Sequence, residues 1–280
     1  MGMSIVHDSP QCIWVPVKPA VTLYCGGLVG IDISAPSEGV EMLPAAAGVA
    51  NKTNNDIPFG LIIGTNRKNP LFDTTYKCEY ITSPAAADAH DGASIEYFGV
   101  EGPYAKGDPV PMVKVAILDP CSVIRAPLYS GAIGTAPTLL TATAGDTDGL
   151  GVTTNTMQFT STADNDGTIY CRTGANAGAY RALDSASATV HTWDVAMRSD
   201  TAIGDTFVGV PMRTHGSSTV LIGATCNGYI DCSKNPTKVG TDLWSVTVLR
   251  LDLRDAGREN VEFRFNANHF ANFITPAVGA

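Results

Sequence analysis

The chain has 280 residues, of which 44% are apolar and only 16% charged, and its formal net charge is −9. That balance supports a sizeable core and excludes an intrinsically disordered chain. The acidity is shared, with 8 basic against 13 acidic residues before Pro127 and 10 against 14 after it, so no positive footprint for nucleic acid or an anionic membrane is present.

Taken in chain order, residues 1–19 read as an extended arm. Pro10, Pro16 and Pro19 each push the residue before them towards β or polyproline geometry. Short apolar runs then alternate with turn clusters: CIWVPV (12–17), VTLYC (21–25), GLVGIDI (27–33), PFGLIIG (58–64), YKCEYIT (76–82), SIEYFGV (94–100) and VPMVKVAIL (110–118). YKCEYIT alternates with a period of two, which marks a half-buried strand. The one helix expected is short, PAAADAHDG (84–92). Residues 128–155, rich in Ala, Gly, Thr and Asp, read as a linker with room for one strand. A second run of strands follows, in MQFTSTA (157–163), TIYCRTG (168–174), AYRALDS (179–185), ATVHTWDV (188–195), DTFVGVPM (205–212), STVLIGATC (218–226) and GYIDC (228–232). It ends with LWSVTVLRLDL (243–253) and NVEFRFNANHF (260–270), where Val261, Phe263 and Phe265 alternate with Glu262 and Arg264 and so predict one wet face.

These runs predict an all-β protein with little helix: an arm (1–19), a small N-terminal β-barrel (20–127), a linker (128–155) and a second β-sandwich or barrel domain (156–280). The N-terminus has neither the basic nor the apolar region of a secretory leader, and no stretch of 18 uncharged apolar residues predicts a membrane-spanning helix. The seven Cys are scattered and never form a C-x-x-C pair, which argues against a disulfide framework or zinc ribbon. Cys226 and Cys232 are close enough to bridge a hairpin, but small buried thiols in a reducing compartment are the reading this set favours.

Motifs for catalysis are missing. There is no G-x-S-x-G and no phosphate loop, and the five His are scattered. His191 lies beside Asp194 in an alternating run, where an ordinary strand histidine is the simpler reading. No enzyme activity and no cofactor are expected. The sharpest metal candidates are Asp146 and Asp148 in GDTDG and Asp164 and Asp166 in DNDG. Each pair places two oxygen ligands before a Gly, as a calcium loop does, but neither continues to a distal Glu. Asp-Gly turns account for both. Trp193 and Trp244 sit in strong strand patterns and read as core, whereas Trp14 is the better interface anchor.

Three pieces of the first half resemble the small β-barrel capsid decoration proteins of tailed bacteriophages: KPAVTLYCGGLVGID (18–32), GVANKTNNDIPFGLIIGT (48–65) and GPYAKGDPVPMVKVAIL (102–118). Gly26 with Gly27, Phe59 with Gly60, and Lys106 with Gly107 and Asp108 carry the likeness. In the second half, residues 174–197, 202–212 and 251–270 are similar to accessory domains of phage virion proteins. The resemblance implies a homotrimer on the outer capsid surface of the virion, clamping neighbouring subunits of the major capsid protein. It implies that an N-terminal arm adds a strand to a capsid sheet edge, with Ile5, Ile13, Trp14, Val15, Pro16 and Val17 as contact residues. Neither nucleic acid nor membrane is an expected partner. The rival expectation is a tail, fibre or surface adhesin that binds host carbohydrate through Trp14 or Trp193.

Overall fold

The computed structural model describes residues 3–6, 10–32, 39–43, 56–66, 71–74, 77–83, 111–128, 138–156, 167–187, 189–210, 221–224, 228–233, 244–267 and 269–270. These residues are nearly all β, as the alternating apolar runs predict. They form four sheets, and no closed barrel is found among them. The expected helix at 84–92 and strands at 94–100 and 157–163 lie outside the described residues.

Five strands form the first curled sheet, in the order β2 (Cys12–Pro16), β9 (Met112–Ile117), β6 (Asp56–Thr65), β4 (Leu28–Asp32), β5 (Glu41–Met42). Its two edges meet at one end. Val17 and Val40 form a parallel bridge, Val40 N–H donates to Pro16 O and Lys18 N–H to Val40 O, each at 2.9 Å. Lys18 and Glu41 pair across the same seam at 3.1 Å. A three-stranded sheet, β3 (Thr22–Tyr24), β8 (Cys78–Thr82) and β7 (Leu71–Asp73), covers the concave side. Between them lies an aliphatic core of Val15, Val17, Leu23, Val29, Val40, Ile62, Ile81, Val113 and Val115.

A β-bulge makes the sheet useful on both faces. In the β4–β6 ladder Val29 pairs with Gly60 and Gly30 with Pro58, so Phe59 is the extra residue. An extra residue reverses the in-out alternation beyond it. Ile57 and Leu61 therefore join a second core, while Phe59 and Ile62 face the aliphatic one. Gly60 sits beneath β9, where a Cβ would lie 2.1 Å from Val115 Cγ1 and 2.6 Å from Ala116 O. Only glycine permits that approach of backbone to neighbour.

The second curled sheet has seven strands: β14 (Tyr180–Ala182), β13 (Thr168–Cys171), β17 (Thr206–Val210), β11 (Thr138–Ala144), β12 (Gly151–Thr154), β16 (Val190–Thr192) and β15 (Ser185–Ser187). β11 turns the corner: Thr138 to Thr141 pair with β17, and Ala142 and Ala144 pair with β12 across a bulge at Thr143. On the other side only Leu183 and Asp184 separate β14 from β15. Leu183 N–H donates to Gly167 O at 3.0 Å and Asp184 N–H to Thr192 O at 2.9 Å, so consecutive residues bind opposite ends of the sheet. Strands that switch between packed sheets make such corners. The core enclosed contains Leu140, Val152, Ile169, Leu183, Trp193 and Phe207.

Residues 138–155, within the expected linker, are thus largely strands of a core. Their Ala, Thr and Gly content looks like spacer composition, but Leu140, Ala142 and Val152 are buried core residues of β11 and β12. The small residues suit the tight corner rather than a flexible connection.

A six-stranded sheet joins the two units, in the order β1 (Ser4–Ile5), β10 (Ile124–Pro127), β21 (Asn260–Phe265), β20 (Trp244–Asp252), β19 (Gly228–Ser233), β18 (Leu221–Ala224). Val261, Phe263 and Phe265 are buried, as their alternation predicts. They share one core with Leu28, Ile57, Leu61 and Leu118 of the first unit and Tyr170, Val208 and Val210 of the second. On the opposite face Glu262 is held by Arg125, whose Nε donates to Oε1 at 3.0 Å and whose Nη2 donates to the same oxygen. Arg172 fastens the second unit to the β20–β21 hairpin through Leu253 O at 2.9 Å and Glu259 Oε1 at 2.7 Å. No helix among the described residues is long and apolar enough to cross a membrane.

The N-terminal segment is not a free arm either. β1 pairs with β10, and every residue of β2 pairs with β9. Pro10 and Pro16 impose the extended geometry the sequence predicts, and the protein's own sheets use it.

Candidate interaction surface

The six proposed contact residues separate into buried and accessible ones. Val15 and Val17 are buried in the aliphatic core, and Ile13 packs against it. Strand alternation is the reason: odd-numbered residues of β2 point inward, so these side chains are removed from any partner. Pro16 is half-buried and its carbonyl accepts the Val40 N–H at the seam. Trp14 points to the other side and keeps 38% of its surface exposed. It stands opposite Lys114 in the β2–β9 ladder, and Lys114 stands opposite Gly64 of β6. Ile5 packs against the shared core from β1.

Trp14 lies two residues along β2 from an open groove of about 490 Å³. Ile5, Cys12, Cys25, Leu61, Ile63 and Ala116 are among its lining residues. Its lining comes from β1, β2, β6 and β9 and from the Cys25–Gly26 turn. Ile63, left over by a second bulge between Ile62 and Gly64, is 47% exposed at its rim. Sequence reasoning identified Ile5 and Trp14 as accessible apolar residues but missed Ile63, because the bulge that turns it outward has no sequence signature in a run of Leu, Ile and Ile.

The metal candidates do not assemble a site among the described residues. Asp146 Oδ1 accepts the Asp148 N–H at 3.4 Å, and Asp148 Oδ1 accepts the Leu150 N–H at 2.9 Å. Gly149 follows with φ +68°. These are the side-chain-to-backbone bonds of an Asp-Gly turn. No group of three or more His, Cys, Asp or Glu side chains gathers among the described residues. Asp164 and Asp166 lie outside them.

Buried reactive groups are held in inert surroundings. Cys171 is fully buried, and burial, with Asp205 nearby, pushes its thiol up to about 11. A thiol so disfavoured as thiolate is a poor nucleophile. Cys12 and Cys121 are free, exposed thiols. Trp193 is 2% exposed and donates its indole N–H to Gly149 O at 2.7 Å. It is a core residue that anchors the Asp146–Gly149 turn, so its ring offers no platform to a sugar. The Trp244 side chain lies outside the description.

The described residues form a multi-sheet β scaffold that displays an apolar groove with Trp14 two residues away on β2. No protein-family model, curated protein or solved structure matches this chain.

Proposed function

We propose that this protein is a structural component of a tailed-bacteriophage virion, bound to the outside of the capsid, where it stabilises the shell by clamping neighbouring subunits of the major capsid protein. The reading starts from the resemblance of residues 18–32, 48–65 and 102–118 to capsid decoration proteins. The observation that carries it furthest is Trp14, an exposed aromatic on the outermost strand of its sheet, beside an apolar groove. Aromatic anchors next to apolar grooves are favoured binding hot spots. Attachment in this reading uses a folded face, because residues 12–16 are already paired with β9. Assembly as a homotrimer multiplies weak single contacts into durable attachment.

The test is co-sedimentation with expanded capsids that lack the protein. The expected result is binding and a higher capsid melting temperature, with Trp14→Ala reducing occupancy roughly tenfold or more, as loss of a hot-spot aromatic does. Failure of the natural chain to sediment with such capsids rejects the proposal. A carbohydrate-binding adhesin retains only Trp14 of its two named aromatics, and a glycan-array signal without capsid binding is the outcome that favours it.

A further inference from the structure

Two exposed surfaces away from the Trp14 groove are opposite in charge. The first is the outer face of the six-stranded sheet. Arg125 on β10 and Arg250 on β20 stand on either side of Glu262 of β21. Arg125 donates to Glu262 Oε1 from Nε and Nη2, and Arg250 Nη1 lies 4.0 Å from the same oxygen. One carboxylate thus faces two guanidiniums, and the row keeps a positive charge in excess. Arg264, exposed two residues further along β21, adds another. At the hairpin end Asp252 and Arg254 neutralise each other at 2.6 Å. The side chains of Arg125 and Arg250 are 46% and 54% exposed. Neither Arg250 nor Arg264 donates a hydrogen bond among the described residues. A planar guanidinium with unused donors is matched by a carboxylate, which accepts two of them at once.

The second surface is the tip of the seven-stranded unit, where the turns at 145–150 and 193–204 meet. Met197 N–H donates to Gly149 O at 2.9 Å and Thr201 N–H to Asp146 O at 3.1 Å. Side chains fix the rest of the backbone there. Asn176 holds Ser199 and Asp200, and the Thr201 hydroxyl donates to Gly151 O at 2.8 Å. Arg181 donates to Val195 O at 2.8 Å and to Ala196 O at 2.7 Å. On this framework stand Val195 and Ile203, 67% and 75% exposed, the two most exposed large apolar side chains among the described residues. The two turns carry four aspartates, at 146, 148, 194 and 200, against Arg198 and the incoming Arg181. Turns already held by their own bonds lose little conformational freedom on docking. Apolar groups ringed by charge are the pattern of an interface centre and its rim.

We propose that this tip docks head to tail on the arginine face of a second copy of the chain, and that three such contacts close a ring. The number three rests on the homotrimer of the proposed function, whereas the pairing of the two faces rests on charge. At a net −9 two copies repel each other over most approaches, and the orientation that brings the arginine face to an aspartate-rich one is favoured. Asp194 and Asp200 supply carboxylates to Arg250 and Arg264, and Val195 and Ile203 lie on the apolar stems of the arginines. Tip and face are different surfaces of one chain, so the contact is heterologous, the kind that closes rings when the rotation permits.

Sedimentation of the full chain, with no capsid present, tests the contact apart from the virion reading. The expected result is a trimer that dissociates as salt rises from about 0.1 M to about 1 M. Ile203→Ser, a change to an exposed side chain alone, is expected to raise the dissociation constant roughly tenfold. Reversing the face with Arg250→Glu and Arg264→Glu, or the tip with Asp194→Arg and Asp200→Arg, is expected to give monomers. The four changes in one chain are expected to restore the trimer, because both partners of the contact are then exchanged. A natural chain that stays monomeric at roughly 0.1 mM overturns the proposal, as does an assembly that neither reversal disturbs. Where a reversed chain does not fold, Ile203→Ser and the salt response decide, and an assembly indifferent to both overturns it. Capsid binding by a chain that remains monomeric rejects this contact and leaves the virion reading standing.

Discussion

The two curled units of this protein are built on opposite economies. The five-stranded unit encloses an aliphatic core with its seam closed by backbone bonds between Pro16, Lys18 and Val40. The seven-stranded unit encloses Trp193 and Phe207 but also buries His191, Thr154, Asn176, Thr201 and Asp205. Asn176 alone accepts from Ser199 N–H and donates to Ser199 O and Asp200 O. The difference follows from strand length. Four of the five strands in the first sheet have five to ten residues and satisfy their own backbone in the ladder, whereas five of the seven in the second have three or four, which leaves many turn amides to be satisfied by side chains. The polar solution brings specificity to the turns and sensitivity to substitution.

The sharpest way to break the comparison is Trp193→Ala. It removes a buried ring and leaves the Gly149 carbonyl without its 2.7 Å indole donor. A loss of about 3–5 kcal/mol is expected. Hydrogen exchange should show it concentrated in residues 138–210, with β2 and β9 keeping their protection. Uniform loss across both units would mean that they unfold as one.

Next in size is the fastening between the second unit and the β20–β21 hairpin. Arg172→Ala removes the bonds to Leu253 O and Glu259, whose side chain is 12% exposed, and strands a nearly buried carboxylate. A cost of about 2–3 kcal/mol is expected. Calorimetry should then show two transitions where the natural chain shows fewer. A single unchanged transition would assign the coupling to the shared apolar core alone.

The smallest expected effect lies in the first unit. Ala20 adopts φ 59°, a left-handed conformation in which its Cβ is strained. Ala20→Gly should stabilise the protein by up to about 1 kcal/mol, read as a rise in chemical-denaturation midpoint.

Much of the strand content was legible in the sequence. The runs at 12–17, 58–64, 110–118 and 260–265 all overlie observed strands. Alternation in Val261, Phe263 and Phe265 also identified the apolar core face, but the opposite face is wet only at Arg264, since Glu262 is 8% exposed and held by Arg125. YKCEYIT showed the period but not the direction: Ile81 is the fully buried residue, while Cys78 and Tyr80 are half-exposed. Both of its faces carry apolar groups, so only the sheet packed against it decides between them. Of the candidate site, Trp14 was legible as an accessible aromatic, while the burial of Val15 and Val17 and the exposure of Ile63 were not.

What the sequence by itself determined is therefore local: an acidic, nearly all-β chain with strands where apolar residues alternate between turn clusters, and an Asp-Gly turn at 146–149 where a calcium loop was the rival. What only the tertiary structure decided is long-range. Residues 4–5 and 124–127 join the C-terminal strands in one sheet, and the Ala- and Thr-rich stretch at 138–155 becomes the corner of a core. Bulges at Phe59 and Ile63 reassign faces one residue at a time. Pairing partners and register are chosen by the summed burial of many distant side chains, a quantity that no short window of sequence contains.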